Sequence, residues 1–189
     1  MHSGKKTISL KVMHEEKMTS RLIMVTGGQR SGKSVFAEEL ALGMSELPTY
    51  LATARVMDEE MAHRVEIHKE RRQSRWRNLE SPLSIPAEEF HSGDVVLIDC
   101  LTLLATNWLF EKNENLDDAL TALRSEIDKL LPIGATFIIV TNEIGLGGVS
   151  PNALQRKFAD LQGYINQYVA RLSQQVYFVA SGIPVKIKG

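Results

Sequence analysis

The chain has a single cysteine, no surplus of charge of either sign and no long apolar run, and each shortage removes a class of protein. Cys100 alone cannot close an intramolecular disulfide, so a stapled secreted scaffold is excluded and burial must hold the fold, as suits a reducing cytosol. The 22 Lys plus Arg nearly cancel the 23 Asp plus Glu, and a net charge of -1 supplies no global field to draw the chain onto nucleic acid or anionic lipid. Any anion binding has to be local. The longest apolar stretches fall well short of the roughly 20 residues that span a bilayer. The first twenty residues lack the apolar core and small-residue cleavage site of a secretory leader. These readings lead to the expectation of a soluble, cytoplasmic chain that neither binds nucleic acid nor inserts into a membrane.

What is present suits one packed core: 189 residues, 43% hydrophobic and 24% charged, with no internal repeat, low-complexity tract or linker. Residues 1–20 read as an N-terminal extension, with Ile8 to Val12 as at most a short strand, and residues 21–189 as a single domain. From Arg21 the punctuation alternates strand and helix, the pattern of a parallel sheet covered on both faces. Strands are expected at Arg21 to Thr26, Thr49 to Thr53, Val95 to Asp99, Thr136 to Thr141, Val176 to Ser181 and Val185 to Lys188. Helices are expected at Ser34 to Met44, Asp58 to Gln73 and Asn152 to Gln174. A further apolar helical stripe carries Leu116, Leu120, Leu123, Ile127 and Leu130.

The segment Gly27-Gly28-Gln29-Arg30-Ser31-Gly32-Lys33-Ser34 has the spacing G-x-x-x-x-G-K-[ST] and lies between an apolar strand and a helix. Glycines let the backbone curl so that successive N–H groups face inward, and the following helix points its positive end at the same place. The expected fold is therefore a P-loop NTPase, with Lys33 reaching the β and γ phosphates. Ser34 is expected to place its hydroxyl on Mg2+, and Asp99, at the end of VVLID, to make a second acidic contact to that ion. A Gly-rich turn with a capping serine is the plain alternative, and spacing, lysine and flanking strand together outweigh it. Asn-Lys-x-Asp, the guanine signature of switch GTPases, is missing at Thr141-Asn142-Glu143, so guanine selectivity does not follow from that route.

In Asp58 to Gln73, Arg64, His68 and Arg71 or Arg72 fall along one helical face. Flanking arginines favour the neutral imidazole, and such a nitrogen can attack phosphorus while the guanidinium groups neutralise phosphate oxygens. On spacing alone, a solvated helix in which Glu60 pairs with Arg64 is the stronger reading, because charged helical faces are common. His63 is off that face, and His2, His14 and His91 lie in tail or loop settings. No His and carboxylate cluster has zinc-ligand spacing.

Taken together, VTGGQRSGKS, YLATA (Tyr50 to Ala54), DEEMAHRVEIHKERR (Asp58 to Arg72), the W-R-N-L-E ending at Glu80, LIDCLTLLATN (Leu97 to Asn107), TNEIGLGGVSPN (Thr141 to Asn152) and the terminal ASGIPVKIK resemble one family. It is the bifunctional adenosylcobinamide kinase and adenosylcobinamide-phosphate guanylyltransferase of cobalamin biosynthesis, and the likeness runs from about Leu22 to Lys188. The resemblance implies a RecA-like sheet and two reactions. Adenosylcobinamide is phosphorylated by GTP, with ATP as an alternative donor, and GMP is then passed from GTP to adenosylcobinamide phosphate through a phosphoramidate on His68. It also implies that Ala52, Thr53, Ala54, Lys69, Glu70, Arg71, Arg72, Glu80 and Asp99 join the phosphate loop in contacting nucleotide, and that the protein is a homotrimer. The apolar segment Leu101 to Phe110, with Trp108, is either a subunit contact or simply a core helix. The chain departs from the family pattern at Ile67, Gly148, Ser150 and Ala159. Two rivals remain open at this point: a one-reaction P-loop small-molecule kinase, and a GTP-sensing module without catalysis.

Overall fold

The computed structural model describes residues 19–55 and 73–189. The expected strand Ile8 to Val12 and the expected helix Asp58 to Gln73, apart from its last residue, lie outside them. Seven strands form one sheet in the order β3-β2-β4-β5-β1-β6-β7. They are β1 (Arg21–Gly27), β2 (Thr49–Ala52), β3 (Arg77–Glu80), β4 (Val95–Asp99), β5 (Thr136–Asn142), β6 (Gln175–Ala180) and β7 (Ile183–Lys188). All neighbours run parallel except β7, which returns antiparallel along β6. β5 separates β1 from β4, so the strand that opens the phosphate loop and the strand that ends at Asp99 flank a common neighbour, as in RecA-like sheets.

Side-chain alternation decides how the sheet is covered. On β1, Leu22 and Met24 join one apolar cluster while Ile23 and Val25 join another; β4 divides in the same way at Val96 and Ile98 against Val95 and Leu97, and β5 at Phe137 and Ile139 against Ile138 and Val140. Strands buried on both faces read as continuous apolar runs, which is why these three are plain in the sequence. The first face carries α2 (Leu101–Glu111), α3 (Leu116–Asp128) and α4 (Ala153–Leu172), and the second carries α1 (Lys33–Leu42) through Ala37 and Ala41. α3 stops at Asp128, and Leu130, which continues its apolar stripe, is buried in the turn that follows. α2 is a core helix: Leu101, Leu104, Ala105 and Leu109 are buried, and the Trp108 indole packs on the core while donating to the Leu83 carbonyl at 2.9 Å.

Two departures from the sequence expectation have physical causes. β3 carries Arg, Asn and Glu at mostly exposed positions, so it lacks the apolar signal of a strand and is defined by its pairing with β2. Ser20, grouped with the extension by the sequence, is buried; its hydroxyl donates to the Leu130 carbonyl and accepts from the Gly134 and Ala135 amides, tying the start of β1 to the loop before β5.

The carboxyl end of β5 is fixed by a buried polar network. The Thr141 hydroxyl donates to Asn166 Oδ1 at 2.7 Å, and Gln162 Nε2 donates to both. Asn166 Nδ2 donates to the Asn142 carbonyl at 3.0 Å, while the Thr102 hydroxyl accepts from the Asn142 amide at 2.8 Å. α2 and α4 thereby hold the point where the chain leaves the sheet toward residues 143–151. Asn166→Leu strips partners from Thr141, Gln162 and Asn142 at once. It should lower the unfolding free energy by about 1–3 kcal/mol, measured by urea denaturation; parental stability would mean that the network is not carrying the contact.

Candidate functional site

The carboxyl edge of the sheet gathers most of the residues singled out from the sequence. Glu80, Ala52 and Asp99 stand in register on β3, β2 and β4, and Asn142, Gly27 and Val179 on β5, β1 and β6, the second row two residues further along because Asp99 pairs with Val140. Ligands of open α/β sheets bind at this edge. Gly27 has no room for a side chain: a Cβ there would lie 2.3 Å from the Val179 carbonyl oxygen and 2.8 Å from Ser31 Oγ. Gly32 adopts φ +96, and a Cβ on it would come within 3.1 Å of Gly182 Cα. The β6-β7 hairpin turns at Ser181 and Gly182, both with positive φ, and the Gly182 amide donates to the Ser31 carbonyl at 2.8 Å. The hairpin tip is therefore a prop for the phosphate loop.

Helix starts differ in a way that matters here. The Asn115 side chain caps α3 and the Asn152 side chain caps α4, each accepting from first-turn amides. α1 begins at Gly32 and, like α2, has no side-chain cap and no acid in its first turn; at α1 those amides face the Gly-rich loop, the arrangement that receives phosphate. Ser31 Oγ is buried and has no hydrogen-bond partner among the described residues, a polar atom suited to a phosphate oxygen. Lys33 Nζ donates to the Gly28 carbonyl at 2.7 Å, spanning the loop. Burial lowers the Lys33 pKa, countered by Cys100 and Asp99. Burial together with Asp99 pushes the Cys100 thiol up to about 12, so at neutral pH it is uncharged and Asp99 is the effective counter-charge to the lysine.

Asp99 accepts from the Tyr50 hydroxyl at 3.0 Å through Oδ2. No group of three or more His, Cys, Asp or Glu side chains able to hold a metal occurs among the described residues. A donor set of one hydroxyl, Ser34, and one carboxylate, Asp99, fits an ion that keeps waters and takes its remaining oxygens from a nucleotide, as Mg2+ does. Thr53 is fully buried, and its hydroxyl donates to the Cys100 carbonyl at 2.7 Å and accepts from the Cys100 amide at 2.9 Å. The Asn107 amide donates to the Thr53 carbonyl at 2.9 Å. Thr53 thus locks the end of β2 to the Asp99-Cys100 corner, while Ala52 and Ala54 leave the strand end low enough for close approach. His68, Lys69, Glu70, Arg71 and Arg72 lie outside the described residues.

Beside the loop the structure adds residues to which the sequence reading gave no role. A cavity of about 520 Å3 is lined by Gly28, Arg30 and Ser31 on one side and by Glu143, Leu146 and Gly147 on the other. The Glu143 amide donates to the Gly27 carbonyl at 3.0 Å, fastening this second wall to the first. Gly147 also borders a larger cavity, about 1080 Å3, between α2, residues 144–151 and α4, and Gly148, Ser150 and Ala159 all line it.

Loop, uncapped helix, buried lysine and strand-end aspartate at the edge of a RecA-like sheet define a P-loop nucleotide-binding protein. The chain belongs to the cobinamide kinase / cobinamide phosphate guanyltransferase family (CobU), whose model matches residues 23–187. It is 38% identical over 181 residues to the bifunctional adenosylcobalamin biosynthesis protein CobU of Escherichia coli (strain K12), covering 88% of this chain and 99% of that protein. It is also 38% identical over 170 residues to the bifunctional adenosylcobalamin biosynthesis protein CobP of Pseudomonas aeruginosa, covering 88% and 96%. A solved structure from Pyrococcus horikoshii OT3 shares the fold at a TM-score of 0.52 and 8% identity, covering 89% of this chain and 86% of that one. Among the described residues no helix is long and apolar enough to cross a membrane.

Proposed function

We propose that this chain phosphorylates adenosylcobinamide and then converts the phosphate to adenosylcobinamide-GDP, in line with its family. The observation that carries the reading is the open phosphate cradle at the start of α1, with Lys33 and Asp99 beside it, in a chain that matches the family from residue 23 to residue 187. In the first reaction the acceptor's hydroxyl oxygen attacks the γ-phosphorus of a nucleoside triphosphate. The bond to the β–γ bridging oxygen breaks, the nucleoside diphosphate leaves, and the hydroxyl proton passes to solvent. Loop amides and Lys33 hold the oxygens on which charge develops. Mg2+, held through Ser34 and Asp99, supplies further neutralisation of the phosphates when bound.

In the second reaction an imidazole nitrogen of His68 attacks the α-phosphorus of GTP, and pyrophosphate leaves with the α–β bridging oxygen. A phosphate oxygen of the phosphorylated acceptor then displaces the imidazole, breaking the P–N bond and forming the diphosphate linkage. GTP serves the transfer step and either GTP or ATP the kinase step; Ala52, Ala54, Lys69, Glu70, Arg71, Arg72 and Glu80 complete the nucleotide site, with Thr53 fixing the strand end beneath it. Association as a homotrimer belongs to the same reading and is checked by light scattering. The chain incubated with GTP labelled in the α-phosphate should carry a label stable to base and lost in acid. With γ-labelled GTP and adenosylcobinamide, label should appear in the corrinoid. Label on the corrinoid without any on the protein would reduce the function to a kinase, and no transfer of either kind would reduce it to nucleotide binding.

A further inference from the structure

We infer that the cavity between α2, residues 144–151 and α4 receives the corrin macrocycle of the acceptor; this rests on the function proposed above. At about 1080 Å3 the cavity stands just above the ~300–1,000 Å3 range typical of small-molecule sites, too large for the short aminoalcohol arm that is phosphorylated and suited to a macrocycle. Its lining combines apolar side chains, Leu109, Phe110, Leu154 and Phe158 among them, with polar groups such as Ser150 and Gln155. That mixture matches a ligand with broad apolar faces and a periphery of amides.

Position supplies the second argument. Gly147 borders both this cavity and the one beside the phosphate loop, so a ligand seated in the larger space has its path to the γ-phosphate over Gly147. Nothing in the protein's own packing calls for glycine there. Gly147 is not among the glycines with positive φ, and a Cβ built on it meets no atom within 4 Å. Without a side chain, Gly147 leaves its main chain open to close approach by a ligand reaching from one cavity into the other. Val149, which lines the cavity, is 88% exposed, apolar surface that a bound macrocycle would cover.

Two obstructing variants test the assignment. Ala159→Trp places an indole in the cavity from α4, and Gln155→Trp does so from an exposed helical position that packing does not constrain. Each should raise the Kd for adenosylcobinamide, measured by equilibrium dialysis using the corrinoid's own absorbance, by about tenfold or more, a cost of about 1.4 kcal/mol. Affinity for GTP and labelling of the protein by α-labelled GTP should stay at parental levels, so that label accumulates on the enzyme and fails to pass to adenosylcobinamide phosphate. Parental corrinoid affinity in both variants overturns the inference. So does a change of oligomeric state on light scattering, which would make the cavity a seat for a second copy of the chain. If the unaltered protein transfers no phosphate or GMP to corrinoid, it is the proposed function that fails, separately from the location of the pocket.

Discussion

Lys33→Met should cut the rate of phosphoryl transfer to adenosylcobinamide by on the order of 10²–10³, the equivalent of ~3–4 kcal/mol of lost transition-state stabilisation. The side chain is buried, sits at the first turn of α1 and bonds to the Gly28 carbonyl across the loop, which aims its ammonium into the cradle. Methionine keeps the length and removes the charge, leaving the loop amides and Ser34 to hold the phosphates. The effect should therefore appear mainly in kcat, with a smaller change in nucleotide affinity. A pH signature separates this role from a structural one. Burial holds the Lys33 pKa below that of an ordinary lysine. The protonated fraction consequently falls as pH rises through that lowered value, and triphosphate affinity should fall with it earlier than a solvent-exposed lysine would dictate. The Lys33→Met protein should lack that component of the pH profile while retaining any that belongs to the nucleotide. A variant with parental kcat, or with the same high-pH loss of affinity, would remove Lys33 from the phosphate site.

The parts of this site that could be read directly from the sequence are those where one backbone segment does the work. Residues 27–34 form the cradle by themselves, because loop curvature, helix start and lysine are consecutive in the chain, and Asp99 is marked by ending a buried apolar strand. β1, β4 and β5 are legible because burial on both faces forces unbroken apolar runs. Legibility fails where position comes from pairing or from a distant turn. β3 has too little apolar character to announce itself, yet its register with β2 is what brings Glu80 alongside Ala52. Gly182 props the phosphate loop from 150 residues downstream of it, and only the parallel pairing of β6 with β1 brings them together. Thr53 illustrates a different limit. Its place in the sequence pattern suggests a ligand contact, whereas its hydroxyl is committed to both backbone groups of Cys100. Such a side chain shapes the site by fixing the strand end that carries Asp99.

His68→Ala should reduce covalent labelling by α-labelled GTP to background and abolish GMP transfer, while leaving the kinase reaction within a few-fold of the parent. The separation follows from which bond each reaction breaks. Phosphoryl transfer opens the bond to the γ-phosphorus and draws on the loop amides and Lys33, groups carried by residues 27–34. Guanylyl transfer opens the α-phosphorus and needs a nucleophile other than the Cys100 thiol, which is buried and pushed up to about 12, or the Thr53 hydroxyl, which is fully engaged. His68 is the nucleophile of the proposed function: the helical spacing expected from the sequence sets Arg64 and Arg71 or Arg72 on its face, and guanidinium groups so placed would favour the neutral imidazole and neutralise the phosphate it attacks. The adduct's P–N bond should hydrolyse in acid, unlike a phosphoester of serine or threonine. His63→Ala, which alters a histidine that the sequence spacing sets off the expected face of His68, should label like the parent. Equal labelling of His68→Ala and the parent would place the nucleophile elsewhere, and loss of both reactions together would show that the segment around His68 serves nucleotide binding as a whole instead of one chemical step.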